Sequence, residues 1–509
     1  MKRASTIFAS LAIGALVAAI PATAQDAPKR GGSIVVSLNA EPTHLDNQLQ
    51  TEKNIDWASK PMNAFLVRFN KDAVLEGSIA ESWEVINPQE IRMTIRENVK
   101  FHNGRVMTAA DAKASIDRVL NDPQAASVKN NVKSIALVEV NDDRTFTMHL
   151  SVPDSTVLGG LTAVAMVPIE VVEGQGDLKT NPVGAGPFMF KEWERGSHHT
   201  LVRFDEYFEE GMPLLDELTF VYQPEYGAEI ASLRSGDVDI ILWLNARDVV
   251  AWRDDSPRGI KLDDGGRSVM ALHYFAFNLE REPWKSNEKL RLAIKYAIDR
   301  DEAAAIALQG TGPAKVSGIA KESPYYDPNW EYEHDLEKAK QLMIEAGYPD
   351  GLTVDHLVPK TPLEVPLAQA FQQQLARIGI KLELRVLEVP TFIDVWVRQR
   401  DFSTTTVGRE SWNDPANIVE FFMHSEAPGN RWGFSNPDVD AWLEEARATF
   451  DFERRKELYS MVEQYRIDHA APFIVATNGT RYAGLRDRIE GWISQRDIRY
   501  DFRNVWVND

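Results

Sequence analysis

The stretch LAQAFQQQLARIGIKLELRV, residues 367–386, changes its period at a single glycine. Leu367, Phe371, Leu375 and Ile378 are spaced four, four and three apart, which puts them on one apolar stripe of a helix. Gly379 stops that helix, because glycine enters the left-handed turn at a helix end without steric cost. Ile380, Leu382, Leu384 and Val386 then alternate with Lys381, Glu383 and Arg385, the pattern of a half-buried strand. Helix, glycine, strand is the unit of a lobe built on a helix-covered sheet, so the expected class is α/β.

The rest of the chain is consistent with that unit. Leu290, Ala293, Ile294, Ala297 and Ile298 form another helical stripe. Asp335 reads as an N-cap with Gly347 closing its helix, and Asn436-Pro437 opens one carrying Val439, Trp442, Leu443 and Ala446 on one face. The first half is richer in strand. Residues 33–38 come directly after Gly31-Gly32, and Ile91, Met93 and Ile95 alternate with polar neighbours, as do Phe146, Met148 and Leu150. No repeat, low-complexity tract or Gly/Ser linker interrupts the chain.

Residues 1–24 have the layout of a secretory signal peptide: Lys2 and Arg3, a short apolar run from Ile7 to Ile20, then Pro21 and Ala22-Thr23-Ala24 as the cleavage site. The run is shorter than the roughly 20 apolar residues of a membrane span. With no cysteine in 509 residues, disulfides, thiolate chemistry and a cysteine-linked lipid anchor are excluded. A formal charge of −20 argues against nucleic acid and against an anionic membrane face. The expected location is the periplasm. Beyond the signal, the chain is long enough for two or three domains of about 100–200 residues.

Catalytic signatures are missing: there is no G-x-S-x-G elbow and no H-E-x-x-H helix. His198-His199 are adjacent, face opposite sides of a strand and read as a solvated pair rather than a metal site. Gly184 and Gly186 suit a tight crossover that needs backbone angles closed to other residues. No catalytic residue, metal or cofactor is expected.

Several blocks resemble bacterial extracellular solute-binding proteins of family 5, the oligopeptide, dipeptide and nickel-binding components of ABC importers. They are Ile79 to Val85, Ile95 to Gly104, Thr108 to Asp111, Asn181-Pro182-Val183-Gly184-Ala185-Gly186-Pro187-Phe188, Leu233 to Asp239, Leu290 to Arg300 and Asp335 to Tyr348, in the family's order. The resemblance implies a two-lobed periplasmic-binding-protein fold (type II, cluster C-like) with an extra inserted domain. Lobe I would comprise 25–62, 179–268 and 475–509, the insert 63–178, and lobe II 269–474. It also implies a monomer that captures a short peptide or peptide-like solute between the lobes and delivers it to a membrane permease driven by an ATPase. Opines, oligosaccharides and nickel chelates are the competing solutes within the family, and a secreted hydrolase is the alternative outside it.

In peptide-binding relatives an aspartate before the Asp-Pro pair grips the ligand's amino group. Here Gly408 to Pro415 places Ser411 at that position with Glu410 beside it, so either Glu410 takes the role or the ligand is not an ordinary peptide. An ammonium buried without a partner costs several kcal/mol, roughly, so the anchor cannot simply be absent if the ligand needs one. The resemblance also directs attention to Glu41, Thr43 and His44 at the lobe I rim, and to Trp243 and Asn245 beyond a lobe I strand. Trp412 is a second flat, half-polar side chain of the kind binding sites favour. Arg409 or Arg431 could clamp a carboxylate. Trp412→Ala is expected to weaken solute binding tenfold or more, about 1.4 kcal/mol, with an unchanged unfolding transition; titration calorimetry beside thermal melting checks both halves.

Overall fold

The strand expected after Gly31-Gly32 is Ser33–Leu38, and it lies at the centre of a seven-stranded sheet. The computed structural model describes residues 27–49, 53–72, 74–263, 271–321, 323–410, 414–477, 481–493 and 500–508. Ser33–Leu38 runs parallel to Glu217–Tyr222 on one side and to Ile240–Ile241 on the other. From edge to edge the order is Ile260–Leu262, Gly484–Arg486, Ile240–Ile241, Ser33–Leu38, Glu217–Tyr222, His198–Arg203 and Phe188–Glu194. Alternation divides the apolar side chains between the two faces. Ile34, Val36 and Leu38 join the core that holds Phe188 and Phe220, while Val35 packs on a second cluster built from Leu233, Val238 and Trp252.

A five-stranded sheet forms the other lobe, in the order Ile380–Leu387, Leu352–Pro359, Thr404–Glu410, Ala271–Phe277 and Phe473–Thr477. Both faces are buried. Phe275, Phe277 and Ile474 meet Leu367 and Phe371 on one side, and Leu272, Tyr274 and Phe473 meet Phe422 and Trp432 on the other. The helix–glycine–strand unit is observed as Glu364–Ala376 followed by Ile380–Leu387, with Gly379 at φ +83° between them. Asp335 and Asn436 both cap, accepting from the backbone N–H groups of Lys338 and of Asp438 and Val439. The stripe from Leu290 to Ile298 is observed on the helix Glu288–Ala297 with Ile298 as its C-cap, and the Asp299 carboxylate, accepting from the N–H of Glu302, starts a further helix, Arg300–Leu308.

Between Lys60–Met62 and Phe188–Glu194 the chain builds a separate layer. Its four-stranded antiparallel sheet, Ala80–Asn87, Glu90–Ile95, Thr145–Leu150 and Ile135–Val140, shares a core with the helix Ala109–Asn121. The chain passes from the seven-stranded to the five-stranded sheet between 262 and 271, and returns between 477 and 484.

Two sequence expectations change. His199 is not solvated: it is fully buried, stacked on Phe220 at 4.8 Å, with its ring nitrogens on the Tyr222 hydroxyl at 2.9 Å and the Ala58 carbonyl at 3.2 Å. Burial drives its pKa down to about 3, so it is a neutral core histidine. Gly184 and Gly186 are present for proximity rather than for unusual backbone angles, since neither has a positive φ. A Cβ on Gly186 would stand 2.4 Å from the Met62 carbonyl carbon, and one on Gly184 2.2 Å from the Met62 oxygen. The helical turn Lys60–Met62 and the loop before Phe188 therefore touch backbone to backbone. Gly186→Ala should cost about 1–3 kcal/mol, the usual range for overpacking, read as a lower urea midpoint with an unchanged m-value.

Candidate functional site

Where the two sheets face each other lies a cavity of about 570 Å³, within the size range of small-molecule sites. Lobe I contributes the end of its central strand (Ser37, Asn39), the start of the helix Tyr226–Ser235, and Trp243 to Asn245 beyond Ile240–Ile241. Lobe II contributes His273 from Ala271–Phe277 and the turn from Thr361 to Glu364 that opens the helix Glu364–Ala376. Apart from His273, near the start of an antiparallel strand, these positions are the carboxyl ends of parallel strands and the adjoining helix starts, where open α/β sheets place their ligands.

The lobe I wall is an aromatic surface bracketed by cations. Trp243 is 42% exposed, unusual for so large an apolar side chain. Lys53 Nζ stands 4.6 Å from its ring centroid and the Arg481 guanidinium 4.2 Å. Both distances are within cation–π range. Behind it, Ser37 Oγ donates to Glu229 Oε1 at 2.7 Å, and burial raises the Glu229 pKa despite that bond. The Tyr226 hydroxyl donates to Asp248 at 2.7 Å and accepts from the Asn245 N–H at 3.1 Å, which fixes the start of the helix Ala246–Asp254.

The lobe II wall presents an acid held by a histidine. His273 Nδ1 lies 3.1 Å from Glu364 Oε1, and the Thr361 hydroxyl donates to the other oxygen. Burial pushes the Glu364 pKa up, but the hydrogen bond and charge of His273, with the Thr361 hydroxyl, outweigh it and hold the carboxyl below its ordinary value. Gly408, opposite His273 in the sheet, makes room for this pair: a Cβ there would lie 2.1 Å from His273 Nδ1 and 2.9 Å from Glu364 Oε1. At one end of the cavity the lobes are joined by hydrogen bonds from Arg253 to the Gly310 carbonyl, 2.9 Å, and from the Tyr482 hydroxyl to the Thr311 carbonyl, 3.1 Å.

Of the residues singled out in the sequence, Trp243 and Asn245 line this cavity. Glu41 is engaged elsewhere in lobe I, accepting from the Gly196 N–H at 3.1 Å, with Arg195 at 3.6 Å. Thr43 is exposed and His44 half-buried, both outside the lining. Arg409 lines a different cavity, and Arg431 lines neither. Glu410 ends the strand Thr404–Glu410, while Ser411 and Trp412 lie outside the described residues. Sequence reasoning missed Lys53, Glu229, His273, Glu364 and Arg481. His273 carried a usable signal, a lone polar residue among Leu272, Tyr274, Phe275, Ala276 and Phe277; the others become neighbours only through the fold.

The fold and the interlobe cavity define a two-lobed binding protein. Residues 74–430 match the bacterial extracellular solute-binding proteins, family 5 (middle part), and the chain belongs to that family. It is thus the solute-binding component of an ABC transporter. It is similar to heme-binding protein A of Haemophilus influenzae, 29% identical with 86% of this chain and 85% of that protein covered. It is also similar to the glutathione-binding protein GsiB of Salmonella typhi, at 26% with 89% of each covered. Among solved structures it resembles the binding protein AgaA of A. tumefaciens R10 in complex with agropinic acid, at 27% identity and a TM-score of 0.74, covering 94% of this chain and 99% of that one. No helix among the described residues is long and apolar enough to cross a membrane.

Because the folded Glu364 pKa lies below its unfolded value, the acid form is the one folding disfavours. Its contribution to stability is complete above the unfolded pKa of about 4.3 and is lost as pH falls through the lower folded value. Glu364→Gln removes that contribution. Urea unfolding should therefore show wild type exceeding the variant by more at pH 7 than at pH 3.5; a gap that is constant across that range would show no linkage at this carboxyl.

Proposed function

We propose that the protein captures a short peptide or peptide-like amino-acid derivative in the interlobe cavity and hands it, chemically unchanged, to an inner-membrane permease driven by a cytoplasmic ATPase. The observation that carries this reading is the division of charge across the cavity. Trp243 and Arg481 line it from lobe I, with Lys53 Nζ 4.6 Å from the Trp243 ring, and Glu364 lines it from lobe II. A zwitterion bridges such walls: its carboxylate meets the cations, its ammonium meets Glu364, and its apolar stem lies on Trp243. Glu364 so placed takes the amino-group role that the sequence left between Glu410 and a missing aspartate. Glutathione, the solute in the name of one relative, and agropinic acid, bound by another, both fall in the amino-acid-derived class.

A solute that touches both walls binds the closed form better than the open one, and closure is driven by that difference in affinity alone. A dissociation constant near 1 μM corresponds to about −8 kcal/mol, enough to offset a closure cost of a few kcal/mol. The cavity supplies positioned charges and a flat surface, and the family is one of solute-binding proteins, which supports capture without turnover. Export through a signal peptide cleaved after Ala24, a periplasmic location and a monomeric state complete it.

Native mass spectrometry of protein purified without denaturation should reveal a co-purified small molecule carrying both an amine and a carboxylate. Titration calorimetry with glutathione, tripeptides and agropinic acid then ranks the class. Trp243→Ala is expected to weaken the best of these about tenfold, or 1.4 kcal/mol, and the recovered solute should have its original mass. Binding that is indifferent to Trp243 and to Glu364→Gln alike would move the solute out of this cavity; a product of altered mass would end the transport reading.

A further inference from the structure

The layer inserted after Met62 is held to lobe I by buried bonds. Arg118 is paired with Asp46 at 2.6 Å, Gln48 Nε2 donates to the Ala165 carbonyl at 2.6 Å, and Gly186 lies against the Met62 backbone. The layer therefore travels with lobe I. It also touches lobe II, at a point through which no chain passes between them. There the Ser155 N–H donates to the Arg447 carbonyl at 2.7 Å, and the Ser155 hydroxyl to the Ala446 carbonyl at 3.3 Å. Those carbonyls lie at the end of the helix Pro437–Ala448, where no further turn supplies donors.

Phe450 crosses the same junction. It stands between the helices Pro437–Ala448 and Phe452–His469 of lobe II, yet it joins neither apolar cluster of that lobe. Its side chain packs on the core of the inserted layer, the cluster that holds Phe146 and Leu158, and among the described residues no other from 269–474 does so. Both sides are set in advance. Asp154 accepts from the Thr156 N–H at 3.1 Å and the Thr156 hydroxyl at 2.6 Å, a turn that fixes the intervening Ser155. On lobe II, the Thr449 N–H closes one helix on the Glu445 carbonyl at 3.0 Å, and the Asp451 carboxylate opens the next by accepting from the Arg454 N–H at 2.9 Å. Phe450 is held between them. Charge agrees across the junction: burial lowers the Arg447 pKa, but Glu420 and then Asp154 of the inserted layer outweigh it and raise it.

We infer that Ser155 and Phe450 form a latch that closes the inserted layer onto lobe II and stabilises the closed form before any solute arrives. The inference rests on the reading of capture between the lobes, and it gives the inserted layer a part in that capture. Opening returns the Phe450 ring to water and parts the Ser155 N–H from its acceptor. The hydrogen bond contributes about fivefold, and the partly buried ring about tenfold, to the ratio of closed to open forms. The solute's difference in affinity then shifts a ratio that the latch has already raised. Less of its binding energy goes into closure, and its release slows.

The chain has no cysteine, so Lys129→Cys on the inserted layer and Glu453→Cys on lobe II, both exposed, place two spin labels across the junction. Double electron–electron resonance then gives their distance distribution without solute. The labelled parent should show a short, closed component. Phe450→Ala should lower the ratio of short to long component about tenfold, with Phe450→Leu falling between. Hydrogen exchange at the Ser155 amide, whose acceptor belongs to lobe II, should quicken in the same order. Trp83→Leu weakens the same core from the strand Ala80–Asn87, at the far edge of the inserted sheet from Ile135–Val140. It should lower the melting temperature and leave the distances unchanged, which separates a latch from general softening of the layer. A circular dichroism spectrum matching the parent establishes that Phe450→Ala is folded; should it not be, Phe450→Leu carries the comparison. The latch is overturned by a parent with no short component, or by distances and Ser155 exchange that are the same in the parent and both Phe450 variants. Glutathione, tripeptides and agropinic acid added to the same labelled protein test capture separately. Distances that ignore every solute while Phe450→Ala still opens the molecule would uphold the latch and remove the capture reading.

Discussion

Each lobe buries both faces of its own sheet, and on this the rest of the molecule depends. The apolar clusters of the seven-stranded sheet contain no residue of the five-stranded one, and the converse also holds. Separating the lobes therefore exposes no shared core, and the hydrophobic free energy of roughly 25 cal/mol per Å² that holds each lobe together does not oppose their relative motion. What joins the two sheets among the described residues is two passages of chain and hydrogen bonds around Gly310 and Thr311, and the inserted layer adds its own contact to lobe II through Ser155 and Phe450. The placement of the apolar side chains thus leaves relative motion of the lobes unopposed by a shared core.

The same partition explains why charged groups are found in the space between the lobes. Side chains at strand ends point into it without a core to join, so charge is tolerated there. Lys53 and Arg481 gather on one wall, Glu364 and His273 on the other. In the open form each wall stays solvated and its charges are screened. On closure the dielectric falls, and an occupant that satisfies both walls is favoured far more strongly than one that satisfies a single wall. Selectivity and closure then arise from one set of contacts.

Periodic features were legible in the sequence because they are local. The stripe from Leu367 to Ile378, the stop at Gly379 and the strand after it needed nothing beyond adjacent residues, and Asp335 and Asn436 capped as their positions implied. Features that depend on distant segments were not. Gly184 and Gly186 looked conformational, but their reason is the Met62 backbone more than a hundred residues earlier. His199 looked solvated because nothing nearby shows that Phe220 and Tyr222 enclose it. Of the cavity, Trp243 and Asn245 were found from their place after a lobe I strand, whereas Glu364 and Arg481 meet only across the fold. Family resemblance supplied the order of the blocks; it did not supply the identity of the charged groups.

Arginine placement completes the account. A folded chain that desolvates a guanidinium ordinarily supplies a carboxylate or a carbonyl, as at Arg455, Arg466, Arg503, Arg291 and Arg300. In each of these cases the partner is part of the chain, so the cost of burial is offset as soon as folding is complete. Arg409 is half-buried, and its guanidinium lies against the faces of Phe421 and Phe422, an attraction of about 0.5–2 kcal/mol. It is the strand neighbour of Gly408, whose missing side chain makes room for His273 and Glu364 on the other face. One strand end thus makes room for an acid–histidine pair on one face and carries a cation on the other.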